Sequence, residues 1–86
     1  MNIAMLSTLK TILEQGSFTA AAEIVGCSPS AVSLQVKQME QYFGQPLFDR
    51  STRSVTPTPF ARDVVAAVGE FSARLHVLRA RPGLKV

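Results

Sequence analysis

The chain has little of what secreted, metal-binding and membrane proteins need. Its 86 residues include one cysteine and one histidine. Cys27 cannot form an internal disulfide, and no second thiol or histidine cluster accompanies it, so neither a disulfide framework nor a zinc site is expected. No signal-like segment opens the chain, and no apolar run approaches the ~20 residues of a membrane span. These absences predict a cytoplasmic protein without a membrane segment.

Patterns typical of catalysis are missing too. Serine, histidine and acidic residues occur, but they form no nucleophile elbow, phosphate loop or paired-carboxylate arrangement. His76 has no ligand partner at metal spacing and is expected to be a surface or interface residue. Cys27 is expected to be a small buried residue, without a neighbouring cation that would activate it. The sequence therefore predicts no enzyme, no catalytic residue, no metal and no cofactor.

Composition favours one small folded domain with a basic surface. Apolar residues make up 47% of the chain, which excludes a disordered tail. Nine Lys and Arg outnumber six Asp and Glu. The resulting pI of about 9.6 favours a polyanionic partner without identifying one.

Apolar spacing and helix caps predict three helices in the first half. The first runs over residues 2–15, with Asn2 as its N-cap and Gly16 as its end. A short second helix begins at Ser17 or Thr19 and ends at Gly26. Ser28 and Pro29 start the third, where proline fits the first helical position, and Gly44 ends it.

The third helix has two different faces. Val32, Val36, Met39 and Phe43 recur at steps of four, three and four, which predicts a buried stripe. The opposite face has small and lightly charged side chains, and we call it the α3 ridge. Its members are Ser30, Ser33, Leu34, Lys37 and Gln41.

The period changes after Gly44. Leu47 and Phe48 precede a polar tip, and Val55 and Thr56 follow it, which predicts two short strands forming a β-wing. Thr58 and Pro59 then begin a long fourth helix that ends near residue 80. Its apolar residues follow a heptad-like seam. The seam consists of Phe60, Val64, Val68, Phe71, Leu75 and Leu78.

Three stretches in fixed order carry a family resemblance: "GSFTAAAE", "SPSAVSLQVKQME" and "FGQPLFDRSTRSVTPT". Over about residues 3–78 the chain resembles the N-terminal winged helix-turn-helix domain of LysR-type transcriptional regulators. The resemblance implies a mainly α fold, with three helices, a two-stranded wing and a long linker helix. It also implies binding to double-stranded operator DNA as a homodimer, with the linker helix pairing antiparallel with its partner's copy.

The positions that contact DNA in the family are assigned to residues of this chain by their place in these motifs. The resemblance implies base contacts at Pro29, Ser30, Ala31, Ser33 and Leu34. It implies backbone contacts at Ser17, Thr19, Ser28, Gln35, Lys37, Arg50 and Arg53, the last two from the wing. The dimer interface falls on the seam of the fourth helix. The early part of that seam also suits packing within the chain, so we expect its later part to meet the partner.

The sequence departs from the family pattern in the third helix. Family members often have Gln-Pro after the capping serine, where this chain has Pro29-Ser30, and often have Arg at position 34. Leu34 cannot bond a guanine but can touch a thymine methyl group. The presence of Leu34 on this polar face can also be explained by chance or by contact with a protein partner.

The predicted organisation is a DNA-binding domain at residues 1–57, a linker helix at 58–81 and a frayed end at 82–86. The effector-binding domain of full-length members is absent from these 86 residues. The alternative function is a winged-helix module for protein–protein contact or dimerisation that does not bind DNA, because a fold alone does not determine function.

Overall fold

The computed structural model describes residues 2–49, 55–81 and 83. These residues form four helices and a two-stranded antiparallel sheet, which confirms the predicted winged helix-turn-helix with a long final helix. The elements, in chain order, are α1 (Ile3–Gln15), α2 (Phe18–Val25), α3 (Pro29–Phe43), β1 (Phe48–Asp49), β2 (Thr56–Pro57) and α4 (Pro59–Ala80).

Each helix begins at a polar side chain that accepts a hydrogen bond from the backbone N–H three residues later. The caps are Asn2, Ser17, Ser28 and Thr58, at donor–acceptor distances of 3.1–3.2 Å. These bonds satisfy donors that have no partner inside the helix. Of the two caps left open for α2, the structure selects Ser17.

Gly26 makes the turn between α2 and α3. Its backbone is left-handed, with φ of 79° and ψ of 35°. The N–H groups of Gly26 and Cys27 both donate to the carbonyl of Ala22, at 2.9 and 3.0 Å. Because a left-handed residue is costly for any side chain with a Cβ atom, glycine makes this tight reversal possible.

The core lies where the first three helices meet the base of the wing. Alanines on α2 allow close helix packing, and longer side chains from α1 and α3 fill the centre. The buried apolar residues are Leu9, Ile12, Ala21, Ala22, Val32, Val36, Met39, Leu47, Phe48 and Ala61. The predicted buried stripe of α3 is thus confirmed except at Phe43, which is half-buried.

The wing is short and pairs Phe48 with Pro57 and Asp49 with Thr56. β2 starts one residue later than the sequence predicted, leaving Val55 outside it. Pro57 is tolerated because this two-stranded ribbon has only edges, where a missing N–H is not required. The predicted tip, residues 51–54, lies outside the described residues.

Three hydrogen bonds connect the base of the wing to the helices on either side. The Glu40 carboxylate of α3 accepts from the Leu47 N–H at 2.7 Å. The Thr58 hydroxyl donates to the Pro46 carbonyl at 2.9 Å, and the Thr58 N–H donates to the Leu47 carbonyl at 3.0 Å. The start of α4 is therefore connected to the end of α3 through the segment between them.

α4 is the longest element, with 22 residues. At 1.5 Å per residue it spans about 33 Å. Its first turn is anchored in the core by Ala61, whereas every residue from Gly69 to Arg81 is exposed. The molecule is correspondingly elongated, measuring 54 × 25 × 20 Å.

Candidate nucleic-acid interface

The start of α3 is fixed by its cap and its proline. The Ser28 hydroxyl oxygen accepts from the Ala31 N–H at 3.1 Å, and Pro29 occupies the first turn. The fixed φ of proline suits this position, and its missing N–H leaves no extra donor unsatisfied. These two residues orient the side chains of the following turn.

All five residues of the α3 ridge are exposed: Ser30, Ser33, Leu34, Lys37 and Gln41. The opposite face holds Val32, Val36 and Met39, each at most 1% exposed. The burial of that face leaves the ridge as the solvent side of the helix, as its spacing predicted.

The five residues assigned to base contact share the first two turns of α3. Pro29, Ser30, Ser33 and Leu34 are exposed, whereas Ala31 is half-buried. Leu34 is 56% exposed, which is large for a leucine on a polar face. Among the described residues, this first part of the ridge has no charged side chain.

Hydroxyl groups at the two helix starts keep a free donor. Ser17 and Ser28 each accept a backbone N–H through Oγ, so their own hydroxyl hydrogens remain able to donate to an anion. Thr19 is exposed in the first turn of α2. Lys37, exposed one turn beyond Ser33, adds a cation to the ridge.

Gln35 is placed differently from the other residues assigned to backbone contact. It is half-buried and faces a cleft with Thr8, Thr11 and Cys27. Its Oε1 atom is buried and accepts no hydrogen bond from any residue that the structure describes. Both threonine hydroxyls donate to carbonyls of their own helix, which leaves them unable to donate to Gln35.

The two wing arginines, Arg50 and Arg53, fall outside the described residues. Their role stays a prediction from the sequence. The strands leading towards them are described, and Asp49 at the end of β1 is exposed.

The seam of α4 changes character along its length. Phe60, Val64 and Val68 are half-buried, whereas Phe71, Leu75 and Leu78 are exposed. The Phe60 ring packs edge-on against Phe43 of the same chain, with centroids 5.3 Å apart. The early seam therefore packs against its own domain, and the later seam remains uncovered.

Sequence reasoning missed the part that α1 and the end of α3 play beside this seam. Ile3, Leu6, Tyr42 and Phe43 line an apolar groove along α4. Tyr42 packs edge-on against Phe43 at 5.2 Å and is still 65% exposed. The sequence does contain a signal for this surface, because Tyr42 is a large aromatic residue that lies next to Phe43 but outside the buried stripe of α3.

Within residues 2–49, 55–81 and 83, no group of three or more His, Cys, Asp or Glu side chains is placed to hold a metal ion. In the same ranges, no helix combines the length and apolar character needed to cross a bilayer.

Comparison with known proteins gives one family. Residues 3–62 match the family described as "Bacterial regulatory helix-turn-helix protein, lysR family". The HTH-type transcriptional regulator AbaB of Streptomyces antibioticus is 47% identical over 58 residues, covering 67% of this chain and 19% of AbaB. The HTH-type transcriptional activator BauR of Pseudomonas aeruginosa is 37% identical over 79 residues, covering 92% of this chain and 26% of BauR. The chain thus spans about a fifth to a quarter of these relatives.

Solved structures agree on the fold. Full-length LysG from Corynebacterium glutamicum is 34% identical, with a TM-score of 0.80 over 93% of this chain and 28% of that chain. BenM DBD in its complex with catB site 1 DNA has a TM-score of 0.83 over 93% of this chain and 86% of that chain. At 22% identity, this second likeness shows the shared fold alone.

Proposed function

Because the chain belongs to the lysR family of bacterial regulatory helix-turn-helix proteins, we propose that it binds operator DNA with the α3 ridge in the major groove. The observation that supports this best is the division of α3 into a fully buried apolar face and an exposed ridge of small polar side chains. In this proposal the whole protein regulates transcription at the bacterial chromosome and is not an enzyme.

Steric fit supports the use of α3. The major groove is about 12 Å wide, and a helix with its side chains is about 10–12 Å across. Ser30 and Ser33 are small and exposed, so the first turns of α3 can approach base edges closely. Their hydroxyls can donate to or accept from bases, which suits recognition that does not depend on one bidentate pair.

Leu34 supplies an apolar contact within this polar surface. It is exposed beside Ser30 and Ser33, where a thymine methyl group is a suitable partner in the major groove. The same exposure favours the alternative function, contact with another protein without DNA, because exposed leucines are also typical of protein interfaces.

Phosphate contacts hold the module on the duplex in this proposal. Lys37 supplies a cation on the ridge, and Ser17 and Ser28 supply hydroxyl donors at the starts of α2 and α3. Arg50 and Arg53 would extend the contact from the wing to the adjacent minor groove. Such contacts orient a protein on DNA without reading its sequence.

A homodimer joined through α4 completes the proposal. Phe71, Leu75 and Leu78 expose about half of their surfaces along one side of the helix. Covering them with a second copy removes apolar surface from water, which favours association. Two copies would present two α3 helices to two half-sites, as dimeric helix-turn-helix proteins do.

Removing the charge of Lys37 tests DNA binding most directly. A duplex selected from a random library is titrated with wild type and Lys37→Gln at several salt concentrations. Each phosphate contact contributes about 0.9 to the slope of log K against log salt, so the variant should lower the slope by about 0.9 for each copy bound. Affinity should fall for every sequence tested, because a phosphate contact carries no base information.

Lys10→Gln is the matched control, because Lys10 is also an exposed lysine but lies on α1, away from the ridge. It should leave the slope unchanged apart from weak long-range screening. A wild-type affinity that does not respond to salt, or equal effects of the two substitutions, would reject the proposed docking of α3 and favour the protein-binding alternative.

A further inference from the structure

Glu40 puts a negative charge on the helix assigned to the major groove. Across Pro29–Phe43, all of which the structure describes, it is the single acidic residue, and it lies one turn beyond Lys37 of the ridge. A carboxylate at this place opposes binding to a polyanion. The Glu40 side chain is half-buried, however, and its Oε2 atom accepts from the Leu47 N–H at 2.7 Å. The carboxylate therefore serves a contact inside the protein, beyond the end of its own helix.

Leu47 is held through both of its backbone polar groups. Its N–H donates to Glu40 of α3, and its carbonyl accepts from the Thr58 N–H of the α4 cap at 3.0 Å. Its side chain is fully buried in the core. A backbone N–H that loses its partner beside a buried side chain is costly to the folded state. Removal of the Glu40 acceptor should therefore disturb the chain at Leu47 first.

The wing starts directly after Leu47. β1 begins at Phe48, which is 5% exposed and packs edge-on against Phe18 of α2, with ring centroids 5.2 Å apart. In the sequence, Arg53 of the wing follows Leu47 by six residues. A change in the direction of the chain at Leu47 would therefore be passed on to the segment that carries this arginine.

The wing depends on its base for its position. Each described strand has two residues, and Pro57 has no N–H to donate to the ladder. A two-stranded ribbon is marginally stable at best in water. Its direction is therefore determined by the contacts at its base, which come from Glu40 of α3, Phe18 of α2 and Thr58 of α4. Of these three, Glu40 belongs to the helix that carries the ridge.

We propose that Glu40 is a positioning residue that aligns the wing with the α3 ridge. The Glu40 carboxylate does not touch DNA in this proposal. It holds Leu47, and through Leu47 the start of β1, so that Arg53 reaches the duplex while α3 occupies the major groove. The inference rests on the wing contact of the proposed function. It adds the side chain that places the wing for that contact.

Glu40→Gln and Glu40→Leu separate the hydrogen bond from the charge. Both substitutions remove the same negative charge, so any gain from lost repulsion of DNA is common to the two variants. Glutamine keeps an oxygen acceptor on a side chain of the same length, whereas leucine has no acceptor. A difference between the two variants therefore measures the bond to the Leu47 N–H.

A double-mutant cycle with Arg53→Gln tests the effect on DNA binding. Affinity for a duplex selected from a random library is measured by fluorescence anisotropy at fixed salt. Arg53→Gln should weaken binding by about tenfold in the wild type and in Glu40→Gln, as expected for loss of one charge-assisted hydrogen bond. In Glu40→Leu the same change should have less than a twofold effect, because a displaced wing no longer brings Arg53 to the DNA. Leu34→Ala is the control for α3, and its effect should be equal in all three backgrounds.

Amide hydrogen exchange, followed by NMR on the free protein, tests the positioning without DNA. In Glu40→Leu, exchange should be at least tenfold faster at Leu47 and at Thr56 of β2, because the base of the wing opens locally. In Glu40→Gln it should stay within about twofold of the wild type, because the acceptor is kept. Exchange at Ile12, in the core of α1, should be similar in all three proteins, since local opening does not require unfolding of the domain.

Several outcomes would overturn the inference. Equal effects of Arg53→Gln in all three backgrounds would show that Glu40 does not place the wing. Equal behaviour of Glu40→Gln and Glu40→Leu would assign the effect to charge and not to the hydrogen bond. An equal rise of exchange at Leu47 and Ile12 would show that Glu40 stabilises the whole domain without positioning the wing. If Arg53→Gln leaves wild-type affinity unchanged, the wing contact of the proposed function fails, and exchange at Leu47 and Thr56 still decides whether Glu40 holds the wing.

Discussion

Replacing Gly26 by alanine should destabilise the protein through the backbone alone. Gly26 joins α2 to α3 in the left-handed conformation, and a Cβ atom built there meets nothing within 4 Å. No steric clash therefore contributes to the effect. A non-glycine residue in this conformation costs about 1–2 kcal/mol. The lower entropy of the unfolded alanine chain offsets about 0.4–1 kcal/mol of that cost, which leaves a net loss of about 1 kcal/mol.

Gly69→Ala is the matched substitution with the opposite expected sign. A Cβ atom added at Gly69 would also meet nothing within 4 Å, but Gly69 lies inside α4 with ordinary helical φ. Alanine is favoured over glycine in a helix interior by about 1 kcal/mol. The two variants should therefore differ by about 2 kcal/mol in unfolding free energy, although each adds one methyl group in open space.

Urea unfolding followed by circular dichroism would measure both differences at fixed protein concentration. A change of 1 kcal/mol corresponds to about 4–8 °C in Tm for a domain of this size, so thermal unfolding gives a second reading. If Gly26→Ala were neutral or stabilising while Gly69→Ala behaved as expected, the left-handed conformation would not be what selects glycine at this turn.

Two further predictions concern α3. Met39→Ala should lower the unfolding free energy by about 2–5 kcal/mol, because Met39 is fully buried, whereas exposed Gln38→Ala should stay within about 0.5 kcal/mol in the same urea titration. For Leu34, replacing a contacted thymine by deoxyuridine should weaken wild-type binding by about fourfold, the worth of about one buried methyl group. The same replacement should have no effect on Leu34→Ala, and equal effects on both proteins would exclude methyl recognition.

Much of the fold could be predicted because local signals and burial agree. Asn2, Ser28 and Thr58 are capping residues placed just before apolar repeats, and each caps its helix as expected. At Ser17 and Thr19 two capping residues lie close together, and sequence alone could not choose between them. In the structure the Ser17 hydroxyl accepts from the Ala20 N–H, and Thr19 lies inside the helix.

The site was less predictable because it depends on contacts between distant segments. The exposure of Leu34 and Lys37 followed from the spacing of the buried stripe. The half-buried position of Gln35 depends on α1 packing beside it, which periodicity within α3 cannot indicate. The position of Tyr42 in the apolar groove along α4 was missed for the same reason, since this groove exists only once α1 and α3 lie beside α4.

Thr58 has a consequence for any assembly of two copies. Its side chain begins α4 while donating to Pro46, and its N–H donates to Leu47, which itself donates to Glu40 of α3. These bonds connect the start of α4 to the end of α3 within each chain and restrict how far the two helices can move apart. Two copies joined through α4 would therefore hold their two α3 helices at a nearly fixed separation. A single base pair inserted between the half-sites adds about 3.4 Å of rise, so both α3 helices could no longer dock at once and the dimer would bind more weakly.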